Sequence, residues 1–479
     1  MTVHPLDLAV LVVYLIGVTA WGAWLGRGQT GGRDYFLGGR ELPWGAVMLS
    51  VVATETSTLT FLSIPGVAYL GTLAFLQLAF GYIVGRTIVA WMLLPAYYRG
   101  ELATAYQLLE TRFGRATRRF TSGIFMVTRL LADGVRLFAT AVPLALLTDL
   151  SLVAAILVMG VATAVYTYLG GIRAVVWVDA VQTGLYMAGA AAAIVALGLL
   201  VPDGWDGVLG AAAVAGKLRV VDPALDFGAP YTLWAGLIGG AFLSMASHGT
   251  DQLIVQRVLT CKDLAGSRKA MITSGFGVLV QFAIFLVIGI GLWAYYGGAA
   301  FARPDEIFSR FIIDALPPGI TGLLVAGVLA AAMSTLSSSI NSLASASAYD
   351  FWAPAVGADD DARILRVGRA FSALWTVLLM GAAILFIPLS REAAAVEVAL
   401  GIASLVYGGL LGGFALAILE PRARQPHAIA AIAAGITATT LVWVLARGDV
   451  AWPWFVPIGA AVTYGVGAGL ARLRGPFVA

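Results

Sequence analysis

The sequence predicts an all-α polytopic membrane protein, and three observations carry that prediction. Of its 479 residues, 60% are hydrophobic and only 11% charged, with a mean hydropathy of +0.90, whereas about 25% of the residues in a soluble domain are charged. Thirteen apolar segments recur along the chain, each at least ~20 residues long and so able to cross a hydrocarbon core of ~30 Å. Basic residues alternate between the loops, with twenty Lys and Arg on one side and six on the other.

In order, the segments are 5–26, 43–70, 72–98, 120–147, 150–169, 173–201, 231–260, 265–297, 319–349, 364–388, 392–419, 427–446 and 451–471. The first has no basic residue ahead of it and reads as a retained span rather than a cleaved leader. The rich side carries, among others, Arg27, Arg33, Arg40, Arg118, Arg173, Arg257 and Arg474. The sparse side carries Lys217, Arg219, Arg303, Arg310, Arg391 and Arg447. Because basic loops stay in the cytoplasm, the amino terminus is expected outside and the carboxyl terminus inside, in the cytoplasmic (inner) membrane. Short helices are expected in the connectors at 207–217 and near Tyr106–Glu110, and 353–361, with Asp359, Asp360 and Asp361, reads as a solvated loop.

Composition also excludes. A net charge of +3 gives no reason to expect a nucleic-acid partner, and Cys261, the sole cysteine, permits no intrachain disulfide. His4, His248 and His427 are too few and too scattered for a metal cluster. There is no HExxH motif, and no kinase or receiver domain follows the last span, which argues against an intramembrane enzyme or a sensory module.

The second span is interrupted by Ala53-Thr54-Glu55-Thr56-Ser57-Thr58. A carboxylate and a run of hydroxyls in hydrocarbon are costly unless they face protein, water or an ion. Pro43 to Thr54 makes ~18 Å of helix, so Glu55 falls near mid-membrane. Five spans later a second interruption is expected within Ser244–Gln252. Two broken helices at matching places in two five-helix halves point to an inverted repeat around a central site. The expected layout is 1–41 (an extra span and loop), 42–201 (first repeat), 202–230 (external loop), 231–419 (second repeat) and 420–479 (two further spans and a tail).

Four further constellations stand out. On the ninth span Ser334, Ser338, Asn341 and Ser345 share one helical face, with Thr335, Ser337 and Ser339 beside them. Uncharged oxygens so arranged form a ladder suited to Na⁺, although hydroxyls in membrane helices also bond back to their own backbone. Asp179 on the sixth span reaches a similar depth to Ser334 and would add a charge there. Arg129, Asp133 and Arg136 share a face of the fourth span. Asp133 neutralises only one guanidinium, which leaves an expected surplus positive charge as a clamp for a carboxylate, unless the cluster is a structural ion-pair network that takes in Glu55 and Arg86. Gln77, Trp234, His248, Asp251 and Gln252 flank the breaks as candidate pocket residues, each with a packing role as the alternative.

Asp34-Tyr35-Phe36-Leu37-Gly38-Gly39-Arg40, the stretch Gly170–Gln182, Gly249-Thr250-Asp251-Gln252 followed by Gln256-Arg257, and Ala331–Ser342 occur in this order. With them the chain resembles the sodium:solute symporter family, whose members include sodium-coupled sugar, proline, sialic-acid and monocarboxylate carriers. The resemblance implies a LeuT-like five-plus-five inverted-repeat core with one extra helix before it and, here, two after it. It implies a main Na⁺ site of the Ala53, Thr56 and Ala331 carbonyls with the Ser334 and Thr335 hydroxyls. A second site in some members matches Asp179, Ser334, Ser337 and Ser338. An arginine on the helix of Arg136 is associated in some members with a substrate carboxylate, and the polar residues of sugar carriers find no clear counterpart around Leu73–Gly81.

The expectation is a Na⁺-coupled secondary symporter that imports a small organic anion or zwitterion by alternating access. It would act as a monomer in the lipid bilayer, with Na⁺ as coupling ion and no organic cofactor. Proton coupling through Glu55 or Asp179, a sugar or polyol substrate, and a channel are the competing readings.

Overall fold

The computed structural model describes residues 4–100, 102–148, 150–301, 304–357, 360–389, 395–446 and 448–473. Arg303, Asp359, Arg391, Arg447 and Arg474, on which parts of the loop reading rest, lie outside them. Helices are the only regular secondary structure among the described residues, apart from one isolated bridge between Leu42 and Cys261. Eight helices among them are long and apolar enough to cross a membrane, or nine if one bent pair counts as a span. A chain that must satisfy its backbone polar groups in lipid has helices as the economical solution.

The first helix, α1 (Pro5–Leu25), is capped by His4 and leads into a short α2 (Gly32–Leu37). In that motif Tyr35 and Phe36 are fully buried, and Gly38 ends the helix in the left-handed conformation. The bent pair is α3 (Trp44–Glu55) and α4 (Thr58–Leu70), which meet at 62°. Next come α5 (Leu76–Met92), α6 (Leu94–Arg99), the connector helix α7 (Ala105–Phe113) and the long α8 (Arg115–Thr148).

The segments expected at 150–169 and 173–201 form one continuous helical run, α9 (Leu152–Leu200), with a single non-helical residue, Gly171 at φ 54°, ψ −155°. The run is a hairpin. A Cβ on Gly22 of α1 would touch both Tyr166 Cβ (2.7 Å) and Val178 Cγ2 (3.1 Å), which lie on opposite sides of Gly171. In a straight helix these two residues would be ~18 Å apart. The reversal needs glycine, because φ is positive and a Cβ there would sit 2.4 Å from Tyr35 O. Two sequence motifs therefore lock each other, the Tyr35 turn against the Gly170–Gly171 reversal.

After the connector helix α10 (Gly204–Val214), a π-helical stretch Ala235–Gly239 runs into α11 (Gly240–Gly249). Thr250 and Asp251 then break the helix before α12 (Gln252–Val258). The second interruption is thus narrower than expected. Ser244 to Gly249 stay helical, because Ser247 and Thr250 bond back to the carbonyls of Leu243 and Ala246 (2.9 and 2.8 Å). The remaining helices are α13 (Leu264–Tyr295), α14 (Pro304–Asp314), α15 (Ile320–Ala346), α16 (Ala353–Val356), α17 (Asp361–Leu389), α18 (Ala395–Leu419), α19 (Gln425–Leu445) and α20 (Phe455–Leu473).

The centre is α15, buried from Leu324 to Ala346 and packed against α9, α8, α1 and α3. Its start is capped from another helix: Asp7 Oδ1 of α1 accepts the N–H groups of Gly319 (2.6 Å) and Gly322 (2.7 Å), a carboxylate at a helix N-terminus. Two arginines counted among loop bases are in fact buried. Arg118 is in α8 and Arg257 in α12, both held by carboxylates. The solvated loop expected at 353–361 is partly helical, and Asp361 Oδ1 accepts the Arg33 N–H (3.0 Å).

Candidate functional site

The site is built where the α3–α4 break faces α15. At the break, Ser57 N turns to Glu55 O (3.0 Å), which releases the Ala53 carbonyl from its helical partner. Thr56 Oγ1 donates to Val52 O (2.7 Å) and lies 2.7–2.9 Å from the side-chain amide of Gln281 on α13. Ser57 then caps α4 through the Thr60 N–H. Two contacts bracket the facing stretch of α15: Thr58 Oγ1 to Val328 O (3.3 Å) and Thr54 Oγ1 to Ser338 Oγ (3.2 Å). Ala331, Ser334 and Thr335 lie between them along α15, on the stretch that packs against the break.

Ser334 Oγ and Asp179 Oδ1 are both buried; the hydroxyl lies within reach of the Asp179 carboxylate, and neither oxygen has another partner. Buried oxygens so sparsely paired are rare inside proteins. The other rungs of the expected ladder are taken. Thr335 and Ser337 bond back to Ala331 O (3.2 Å) and Ser334 O (3.0 Å). Ser338 bonds to Ser334 O (2.5 Å) and accepts from Arg257. Asn341 Oδ1 accepts from Gln256 (2.7 Å), and Ser345 Oγ accepts from Gln252 (3.4 Å). The lower face of α15 therefore grips the polar side of α12, and the ladder's unused oxygen is at its top.

Asp179 stands on the second arm of α9. Its Oδ2 accepts from Ser50 Oγ (2.6 Å) and pairs with Arg257 Nη2 (3.3 Å). Of the residues expected with it, Ser334 lies within reach of its carboxylate, Ser338 shares the Arg257 guanidinium with it, and the Ser337 hydroxyl is turned to Ser334 O.

The arginine cluster differs from expectation. Arg129 pairs with Asp251 at the second break as well as lying 3.6 Å from Asp133, and Tyr407 Oη bridges Arg129 (2.8 Å) and Asp251 (2.9 Å). Arg136 Nη1 donates to Asp133 (3.0 Å), whose other oxygen accepts from Ser339 (2.5 Å). With Asp251 included, two arginines face two carboxylates, so the expected surplus charge is absent. Sequence reading had placed Asp251 in the pocket lining but did not join it to Arg129, because nothing in the sequence puts the break of α11–α12 beside α8.

Arg136 nevertheless keeps a buried Nε without a partner and is 19% exposed, lining a small cavity. That cavity, about 10 Å³, is bounded by Ser57, Thr58, Asp133, Arg136, Thr140 and Thr335, and it holds about one water-sized sphere. Its floor is the start of α4, whose N–H groups favour an anion.

The other candidates have structural partners. Glu55 pairs with Arg86, which also donates to Ser274 (2.7 Å), and lies 3.6 Å from His248. Its carboxylate is thus engaged by a guanidinium in this state. Gln77 binds the backbone of Ala74, Tyr231 and Asp222, an anchor for the loop that follows α10. Gln252 clasps Ala103 O and Ala105 N ahead of α7. Trp234 is 41% exposed on the outer surface. None of these three lines the cavity.

A family model described as the sodium:solute symporter family matches residues 35–435. The sodium/sialic acid symporter NanT of Aliivibrio fischeri is 29% identical over 470 residues, which covers 96% of this chain and 92% of that one. Human sodium-coupled monocarboxylate transporter 1 is 29% identical over 442 residues, 91% of this chain and 72% of that protein. The human sodium/iodide cotransporter is 28% identical, with coverage of 93% and 70%. Among solved structures, a Na⁺-coupled sialic acid symporter, captured substrate-bound and outward-open with a novel Na⁺ site, superposes with a TM-score of 0.89 at 26% identity over 99% of both chains. Mhp1, a nucleobase-cation-symport-1 family transporter, shares the fold at 13% identity, with a TM-score of 0.59 over 93% of this chain and 95% of that one.

Proposed function

This chain belongs to the sodium:solute symporter family, and on that premise we propose how its residues divide the work. It is a Na⁺-coupled symporter for a small solute, in a family of transporters. The solute in our reading is a carboxylate-bearing anion or zwitterion. The observation that carries this is Arg136, whose partly free guanidinium lines the cavity beside the start of α4. A planar fork and a helix N-terminus converging on one small space favour a carboxylate over a neutral polyol.

Na⁺ sits between the break and α15, held by the carbonyls of Ala53, Thr56 and Ala331 and the hydroxyls of Ser334 and Thr335. The released Ala53 carbonyl and the sparsely paired Ser334 Oγ support this choice. A second Na⁺ lies against Asp179 with Ser334, Ser337 and Ser338, where Asp179 Oδ1 has no neighbour but the Ser334 hydroxyl. Ion binding from outside fixes the geometry of the break and so shapes the solute cavity. Closure and rocking of the broken helices then release both to the cytoplasm. Thirteen spans, a five-plus-five repeat between residues 42 and 419, an outside amino terminus and a functional monomer in the cytoplasmic membrane complete the proposal.

The test is a thermal-shift screen of the purified protein against carboxylates, zwitterions and neutral polyols, each with and without NaCl, followed by uptake into proteoliposomes. Stabilisation by a carboxylate that requires Na⁺ and is lost in Arg136→Gln is the expected result. Equal stabilisation by a neutral polyol in both proteins would overturn the solute assignment.

A further inference from the structure

The second cation site already contains a positive charge. Arg257 is fully buried on α12, the arm that follows the second break. Its guanidinium donates to Ser50 Oγ on α3 (3.0 Å), to Leu253 O (2.5 Å), to Asp179 Oδ2 on α9 (3.3 Å) and to Ser338 on α15. Two of the four side chains read as ligands of the second Na⁺, Asp179 and Ser338, are thus engaged by an arginine. Asp179 Oδ1 and Ser334 Oγ are left on the remaining side.

We infer that Arg257 is a tethered cation that competes with Na⁺ for Asp179 and Ser338, and so sets how many ions accompany each solute. The inference rests on reading Asp179, Ser334, Ser337 and Ser338 as a Na⁺ site. Two unit charges about 6 Å apart, at an effective dielectric of about 20, repel by enough to lower a binding constant roughly a hundredfold. While the guanidinium is seated, Na⁺ at Asp179 meets that repulsion and finds one carboxylate oxygen already used. When α12 swings about Thr250 and Asp251, the guanidinium leaves with it and the carboxylate is free to take the ion. On the return leg Arg257 neutralises Asp179 again, so the site never presents a bare buried carboxylate, a costly state. Arg257 is on this account a positioning residue. It links ion occupancy at Asp179 to the position of a helix that also holds α7 through Gln252 and α15 through Gln256.

The test measures Na⁺ binding without solute, from the thermal shift and tryptophan fluorescence of the full-length protein titrated with NaCl against choline chloride. Arg257→Gln removes the competitor and is expected to tighten Na⁺ binding by about tenfold or more. Ser337→Ala touches the proposed site but not the arginine, and is expected to weaken Na⁺ binding in both the parent and the Arg257→Gln background. If Ser337→Ala weakens binding while Arg257→Gln fails to tighten it, the competition is refuted and the site stands. If Ser337→Ala has no effect in either background, the site reading itself falls and the inference with it. Should Arg257→Gln not fold, Arg257→Met carries the test. It removes the charge and keeps much of the apolar stem, so Na⁺ binding that is no tighter than in the parent refutes the inference.

Discussion

Replacing Ser334 with alanine separates ion binding from folding more cleanly than any other change at the site. Its Oγ is buried, and its one polar side-chain neighbour is the Asp179 carboxylate. The bonds that Ser337 and Ser338 make to residue 334 go to its backbone carbonyl, which alanine retains. In the absence of Na⁺ the substitution removes at most one weak hydrogen bond to Asp179, worth about 1 kcal/mol net. The ion-free protein should therefore melt within a few degrees of the parent. With Na⁺ the loss is larger, because a hydroxyl on a cation resembles a hydrogen bond to a charged group, worth about 1.5–3 kcal/mol. At 1.4 kcal/mol per factor of ten, the Na⁺ concentration for half-saturation should rise roughly 10- to 100-fold. The assay is a NaCl titration, at constant ionic strength with choline chloride, of thermal stability and of solute uptake into proteoliposomes. Unchanged Na⁺ dependence in a folded, transporting variant would refute the assignment. A melting temperature lowered by much more than that without Na⁺ would show instead that the role of the hydroxyl is structural.

Other substitutions probe the remaining parts. Arg136→Lys keeps a charge for Asp133 but loses the planar fork, and should weaken carboxylate binding by about 2 kcal/mol or more, a factor of ~30, while leaving Na⁺-induced stabilisation intact; the readout is solute binding by thermal shift at saturating NaCl. Gly171→Ala places a Cβ 2.4 Å from Tyr35 O at a positive φ, and should lower stability by about 2–4 kcal/mol or abolish expression of a monodisperse protein in detergent. Asp7→Asn should cost about 1 kcal/mol by removing the charge at the start of α15, and the Na⁺ dependence of uptake should not move. Cys261, in the connection between α12 and α13, is 1% exposed and its thiol is pushed up to about 12 by burial. The native protein should therefore resist maleimide at neutral pH and react only after denaturation, as followed by intact mass.

The broken second span was legible because a carboxylate and four hydroxyl residues cannot stay in an unbroken apolar helix without a reason, and the break lies at Thr56–Ser57 within that run. Asp179 and Ser334 were placed at one depth by counting residues, since depth follows from a fixed rise per residue. What counting could not supply was lateral neighbourhood. Arg257 looked like a loop base because it follows the break by only a few residues, yet α12 turns it inward onto Asp179. Asp251 looked like a pocket residue, and its pairing with Arg129 depends on how α8 packs beside the second break. Gln252 and Gln77 carry the same side chain in similar polar surroundings. One clasps the connector before α7 and the other the loop that follows α10, a difference set by packing rather than by residue type.

The pairing of charges around the two breaks bears directly on coupling. Four arginines, at 86, 129, 136 and 257, face four carboxylates, at 55, 133, 179 and 251. The described interior is therefore close to neutral before any ion arrives. A Na⁺ seated mainly by uncharged oxygens then adds one uncompensated positive charge to a region of low dielectric, which limits its affinity and keeps its release easy. A carboxylate arriving at Arg136 restores neutrality. For charges about 7 Å apart at an effective dielectric of about 20, that attraction is roughly 2.4 kcal/mol, a coupling factor of about 50. Linkage requires the factor to act equally in both directions, so the ion tightens the anion as much as the anion tightens the ion. A neutral solute would gain only from the shaping of the break. On this argument an interior whose fixed charges cancel is what lets a monovalent cation and an organic anion depend on each other for binding.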